Sequence, residues 1–212
     1  MPRARRKKNP SLERRLRIFC EGEKTEPYYL KDYLRNFKDN RKASVEIMNC
    51  SKNTPVQLVE AAIKFKNSPR SIKGDVFWVV YDREAVAKYS RKLHLEAWKA
   101  AKQNGIKIAL SNVCFEFWLL LHFVDSATPY SSCSDLLKNS VLSDRVEQAC
   151  GQKYDKASAV LFEQIKGHIS SARTRADGIN KRGLAAAGNH AMPFDINPYT
   201  EVHKLLDEID SF

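Results

Sequence analysis

Val76-Phe-Trp-Val-Val-Tyr-Asp-Arg-Glu84 is apolar without interruption from Val76 to Tyr81, rich in β-branched and aromatic side chains, and then abruptly acidic. A strand with no polar face needs cover on both sides, the condition at the centre of a parallel sheet flanked by helices. The neighbouring segments fit that frame. Upstream, Leu16-Arg-Ile-Phe-Cys-Glu21 reads as a buried strand ending at Gly22, and Pro27 opens a helix running to about Asp39. Ser44-Val-Glu-Ile-Met-Asn49 alternates as a second strand. Asn53 or Thr54 then caps a helix with Pro55 at its first position and Val56, Val59, Ala62, Ile63 and Phe65 at roughly helical spacing.

Downstream, a loop bracketed by Pro69 and Gly74 leads into the central strand. A helix follows from about Ser90 to Asn104 and stops at Gly105, and Ile106-Lys-Ile-Ala-Leu110 gives a fourth strand closing at Ser111-Asn112. Cys114-Phe-Glu-Phe-Trp-Leu-Leu-Leu-His-Phe123 is apolar nearly all round apart from Glu116 and His122, as a buried helix would be. Strand and helix thus alternate four times with short connections, which predicts an α/β, Rossmann-like, mostly parallel sheet with helices on both faces. After residue 124 the pattern becomes helical, with helices expected at about 133–143, 154–174 and 198–210 and a Gly/Ala/Asn-rich stretch at 183–197 between them. The expected organisation is a basic flexible arm at 1–15, an α/β core at 16–124 and a C-terminal helical appendage at 125–212 packed on that core.

Composition bounds the function. The chain has 212 residues, 36 Lys and Arg against 25 Asp and Glu, and a net charge of +11. It is long enough to bury a core without staples, and it has no collagen, coiled-coil or wholly disordered character. No window carries the roughly 18 consecutive apolar residues that a membrane crossing needs, so no membrane association and a cytoplasmic location are expected. Cys20, Cys50, Cys114, Cys133 and Cys150 are odd in number and lack a C-x-x-C, which favours reduced thiols used as small core residues. Much of the excess charge lies at the start, in Arg3, Arg5, Arg6, Lys7, Lys8, Arg14 and Arg15 against Glu13 alone. Such an arm is either a solvated tail or a nucleic-acid contact that gains salt-sensitive affinity by neutralising phosphates. A second basic cluster, Lys166, Arg173, Arg175, Lys181 and Arg182, favours the latter.

In doubly wound sheets, ligands gather at the carboxyl ends of the strands. Glu21 closes the first strand, Asp82 and Glu84 the third, and Glu116 opens the helix after the fourth, so the candidate catalytic residues are these four acids. Carboxylates converging there repel unless a cation neutralises them, and an all-oxygen donor set selects a hard ion, Mg²⁺ or Mn²⁺. Asp82 and Glu84, two apart, share a side if the chain stays extended. Taken alone they also read as turn and helix-start acids. Glu116 is harder to dismiss, since a carboxylate in an apolar helix needs a partner or a metal. Lys24, Glu26, Arg83 and His122 are candidates for supporting the acids or binding phosphate, although His122, on an apolar face, also reads as a hydrogen-bonded core residue. Motifs for P-loop nucleotide hydrolysis, dinucleotide binding and serine hydrolysis are absent.

Glu21-Gly-Glu-Lys-Thr-Glu26, Val79-Val-Tyr-Asp-Arg-Glu84, Ser111-Asn-Val-Cys-Phe-Glu-Phe-Trp-Leu-Leu-Leu-His-Phe123 and Asn197-Pro-Tyr-Thr-Glu-Val202 together resemble the RloB-like family. The resemblance spans nearly all of the chain after the arm. That family looks like part of the TOPRIM superfamily, whose members share a small Rossmann-like sheet, a Glu after the first strand and a D-x-D after the third, holding Mg²⁺ for phosphodiester chemistry. It implies a strand-end glutamate with a metal-linked or acid/base role at Glu21, metal ligands at Asp82 and Glu84, and an added acid at Glu116. At Asp82-Arg83-Glu84 the second Asp has become Glu, which reaches about one methylene further. The resemblance further implies anti-phage defence with an AAA-type ATPase partner, abortive infection being one route. The resulting expectation is a Mg²⁺- or Mn²⁺-dependent nuclease. Its rivals are a non-catalytic TOPRIM-like module that binds nucleic acid or an ATPase, and nucleotidyl transfer on the same acids. Homo-oligomer formation and the choice between DNA and RNA stay open.

Overall fold

The computed structural model describes residues 13–37, 44–50, 54–156, 158 and 160–212. A five-stranded sheet forms the centre, with β1 (Leu16–Cys20), β2 (Val45–Asn49), β3 (Val76–Asp82), β4 (Lys107–Asn112) and β5 (Tyr199–Thr200) in the order β2-β1-β3-β4-β5. The first four strands run parallel and β5 is antiparallel to β4. The helices between them are α1 (Thr25–Phe37), α2 (Pro55–Lys66) and α3 (Arg91–Gln103). Thr54 caps α2, its hydroxyl accepting from the Gln57 amide with Pro55 at the first position, and Ser90 caps α3 in the same way. These caps satisfy amides that a helix start leaves without partners.

Strand alternation separates two cores. Leu16, Ile18, Cys20, Trp78 and Val80 face one side, against α1 and α4 (Glu116–Phe123). Phe19, Phe77, Val79 and Tyr81 face the other, against α2 and α3. On the first face α4 is buried over nearly its whole surface, as its composition requires.

The C-terminal part differs in detail from the helices expected there. Residues 133–143 divide into α5 (Cys133–Asn139) and α6 (Leu142–Cys150), broken at Ser140. The segment from 154 is irregular until α7 (Leu161–Ile165), and a short 3-10 turn leads into α8 (Ile169–Ala187). The stretch expected to separate helices is therefore helical as far as Ala187. Leu184 and the alanines after it favour helix, and Gly183 removes the Cβ that would otherwise stand 2.6 Å from Ile196 Cγ2. Pro198 follows a cis peptide bond and starts no helix; Tyr199 and Thr200 join the sheet, and α9 (Val202–Ser211) begins only after them. Asn180 anchors this edge, its amide donating to the Thr200 carbonyl (2.7 Å) and accepting from the Thr200 amide (3.1 Å). The C-terminal helices contribute Ala172, Ala176, Leu205, Leu206 and Ile209 to the same core as β1 and β3. Among the described residues no helix is long and apolar enough to cross a membrane.

Candidate functional site

The order β2-β1-β3-β4 reverses direction at β1, so the chain leaves β1 and β3 on opposite sides of a crevice at their carboxyl ends. Such a switch point is where parallel sheets bind ligands. Glu21 follows β1 and Asp82 ends β3. The Glu21 amide donates to the Val80 carbonyl (3.0 Å), and its carboxylate accepts from the Asp82 amide (3.3 Å) and from the Tyr89 hydroxyl (3.1 Å). An open cleft of about 350 Å³ lies here, lined by Glu21, Gly22, Glu23, Lys24, Thr25, Glu26, Asp82, Glu84, Lys88 and Lys156.

Glu84 reaches the cleft in a way that strand alternation did not predict. Its φ is 59°, in the left-handed region, so the chain turns after Asp82 rather than remaining extended. That conformation costs a non-glycine residue on the order of 1–3 kcal/mol and concentrates at functional sites. Lys88 Nζ holds the carboxylate at 2.6 Å. Gly22 serves a different need. A Cβ there would stand 2.2 Å from Glu26 Oε2, so only glycine lets the Glu26 carboxylate lie against the loop.

The electrostatics follow from crowding. Burial pushes the Glu21 carboxyl up to about 7, with Glu84 adding to the rise and the Asp82 amide and Tyr89 hydroxyl opposing it. Burial and then the charges of Glu26, Glu116, Glu21 and Glu84 raise Asp82 well above the ordinary carboxylate range. Glu26, 6% exposed, is raised by burial and by Glu116. For Glu116, burial would raise the carboxyl, but Lys156 and hydrogen bonds from Cys114, Cys133 and Tyr154 outweigh it and hold the group below its usual value. Its Oε1 accepts from the Tyr154 hydroxyl (2.9 Å) and faces Lys156 Nζ (3.2 Å). Glu116 thus stands behind the cleft and acts on Asp82 through its charge.

The structure brings Glu21, Lys24, Glu26, Asp82 and Glu84 to one cleft, and leaves Arg83 and His122 away from it. Arg83 is buried, donating to the Tyr89 and Phe194 carbonyls (3.0 Å each), so it neither supports the acids nor offers its guanidinium to phosphate. His122 is 1% exposed; its Nδ1–H donates to the Trp118 carbonyl (3.0 Å) and its Nε2 accepts from the Tyr29 hydroxyl (3.1 Å). Burial lowers its pKa to about 4, so it is a neutral core residue.

Of the basic arm, Arg3, Arg5, Arg6, Lys7 and Lys8 lie outside the described residues. Arg14 stacks over the Phe212 ring at 4.7 Å and Arg15 pairs with Glu46, both at the amino end of the sheet and away from the cleft. The second basic cluster is also engaged internally: Lys166 with Glu163, Arg173 with Asp207 and Asp210, Lys181 with Asp177, Arg182 with Asp125, and Arg175 with the Leu121 carbonyl. Lys88, Tyr89, Tyr154 and Lys156 were missed in the sequence. Lys88 was legible in principle, four residues after Glu84. Lys156, far along the chain in an irregular segment, had no local signal.

Among the described residues the trio of His, Cys, Asp or Glu donors whose ligand atoms lie within 4.8 Å of one another is Cys114, Glu116 and Cys133. Glu21, Asp82 and Glu84 share the cleft at wider spacing. No curated protein and no solved structure matches the chain. A family model described as RloB-like protein matches residues 16–209, from the first residue of β1 into α9 and through every segment that builds the cleft, and the chain belongs to the RloB-like family.

Proposed function

We propose that this chain is a metal-dependent nuclease of TOPRIM type, cleaving nucleic-acid phosphodiesters with Mg²⁺ or Mn²⁺ at the strand-end cleft. The placement of Glu21 and Asp82 on either side of the switch point, with Glu84 beside them, supports this above all. The donors fit a hard cation. All are carboxylate oxygens, and Asp82 is raised by burial and by the neighbouring acids, both of which a divalent ion would offset. Glu21, Asp82 and Glu84 would hold the ion, which when bound supplies charge neutralisation at the scissile phosphate and an acidified water.

The chain's own residues do the rest. Lys24, exposed at the cleft, and Lys88 offer ammonium groups to the phosphodiester backbone. Tyr89 fixes the orientation of the Glu21 carboxylate through Oε1 for holding the ion. Lys156 balances Glu116 behind the acids. A role in anti-phage defence alongside an AAA-type ATPase belongs to the same proposal and rests on the family resemblance.

The test is cleavage of single- and double-stranded DNA and RNA with Mg²⁺, Mn²⁺ or EDTA, comparing the native chain with Glu21→Gln and Asp82→Asn, with and without the ATPase. Metal-dependent cleavage lost in both variants is the expected result. The second reading, a non-catalytic binding module, draws support from the Lys88–Glu84 pair, an internal cation where an ion would sit. Silence in every condition, with no rise in melting temperature on adding Mg²⁺ or Mn²⁺, would favour that module.

A further inference from the structure

A second donor cluster lies behind the acidic cleft and has different chemistry. Cys114 sits between β4 and α4, Glu116 is the first residue of α4, and Cys133 is the first residue of α5, after the Ser132 cap. The two sulfurs and a Glu116 carboxylate oxygen all lie within 4.8 Å of one another, and neither Cys114 nor Cys133 is in a disulfide. Cys114 and Glu116 are each 1% exposed, and Cys133 is partly exposed.

We propose that Cys114, Glu116 and Cys133 form a binding site for a thiophilic divalent cation of the Zn²⁺ class, with the fourth position open to water. Three features support it. The carboxylate is oriented for single-oxygen ligation: Tyr154 and Lys156 engage Oε1, while Oε2 faces the Cys133 sulfur at 3.3 Å. Hydrogen bonding of this kind around a ligand fixes its direction and raises metal affinity. Next, the sulfur side of that buried carboxylate is met by thiol groups, which are weak donors, so a cation satisfies Oε2 better than S–H does. Finally, the charges balance. A divalent ion on two thiolates and one carboxylate carries one net negative charge, and Lys156 supplies one positive charge beside it.

Tetrahedral Zn²⁺ with Zn–S near 2.3 Å places ligand atoms about 3.7 Å apart, so from separations of no more than 4.8 Å the ligands close by at most about 1 Å. Side-chain rotation at Cys133, the least enclosed of the three, can supply it and gives the ion a way in. Soft sulfur donors separate this site from the all-oxygen cleft, which suits harder ions.

The test is titration of Co²⁺ into the reduced, metal-free full chain, read by absorption. Expected are a thiolate-to-cobalt charge-transfer band and tetrahedral ligand-field bands that saturate at one equivalent, are displaced by Zn²⁺, and withstand excess Mg²⁺. Cys133→Ser abolishes the charge-transfer band or leaves only the weaker signature of a single thiolate, whereas Cys150→Ser leaves the spectrum unchanged. Tyr154→Phe keeps the spectrum and weakens Zn²⁺ affinity about 10–100-fold, a readout that survives if Cys133→Ser folds poorly. No sulfur-to-metal band in the reduced chain, or a band intact in folded Cys133→Ser, overturns the proposal. So does Tyr154→Phe with unchanged Zn²⁺ affinity. Because the readout is sulfur ligation, its failure leaves the nuclease reading untouched, and absence of cleavage leaves this site untouched.

Discussion

The two ends of the parallel strands handle the same kind of side chain in opposite ways. At the amino end, Arg17 is buried, 4% exposed, and pairs with Asp75 and with Glu46 (2.9 Å) while stacking on Phe65. Asp75 also accepts from the Arg15 amide (2.8 Å) and the Ile72 amide (2.9 Å). Burial alone would raise its carboxyl, but those amides and the Arg17 guanidinium outweigh it and hold it below the usual range. At the carboxyl end, burial and then the charges of four further acids, Glu26, Glu116, Glu21 and Glu84, push Asp82 up. Buried charge that serves stability is matched by partners within the chain. The acids gathered at the switch point, beside a residue in a left-handed conformation, are what the proposed metal site rests on.

Four experiments would break or sharpen that contrast. Arg17→Met strands Asp75 without its guanidinium and is expected to lower unfolding free energy by about 3–5 kcal/mol, measured by urea denaturation. An effect near zero would show that the amino-end network is ornamental. Asp82→Asn relieves repulsion, so it should leave stability unchanged or higher while reducing metal-dependent cleavage at least about 100-fold, equivalent to about 2.7 kcal/mol. A variant that both unfolds and loses activity would make Asp82 structural.

The third concerns pH. Glu21 rises from 4.5 to about 7 on folding, so the folded state prefers its protonated form. Its contribution to stability is full below about 4.5, is lost as pH rises toward 7, and is on the order of 3 kcal/mol. Metal-free protein should therefore show a stability loss across that window which Glu21→Gln lacks; Asp75, lowered on folding, contributes in the opposite sense. Identical pH profiles for parent and variant would remove Glu21 from the account. The smallest effect is Tyr89→Phe. Losing one hydrogen bond to the Glu21 carboxylate removes a group that lowers its pKa, so the titration shifts upward, at a cost on the order of 1 kcal/mol to the ionised form. Carboxyl NMR titration would read the shift, and an unmoved curve would show that Tyr89 does not hold this carboxylate.

Much of this candidate site is legible in the sequence. The continuous apolar run at Val76–Tyr81 announces a doubly covered strand, and acids directly after β1 and β3 fall at carboxyl ends whatever the details of packing. Capping at Thr54 and Ser90 is equally local. Less legible were elements whose conformation depends on distant partners. Pro198 reads as a helix start, yet the segment pairs with β4 because Asn180 and Ser111 offer it hydrogen bonds. Gly183 opens the Gly/Ala/Asn-rich stretch expected between helices, yet it is a point of close approach to Ile196 within a helix.

Composition, periodicity and turn chemistry by themselves determined the alternation of strands and helices, the parallel sheet, and the acids at its carboxyl edge, because each depends on residues close in the chain. Tertiary structure alone decided which charges are compensated. It sent Arg83 to backbone carbonyls, buried His122 against Tyr29, brought Lys156 to Glu116, and set Cys133 beside Cys114. The physical reason is that a charge's state depends on burial and on neighbours a few ångströms away in space, and those neighbours come from segments that no local pattern relates.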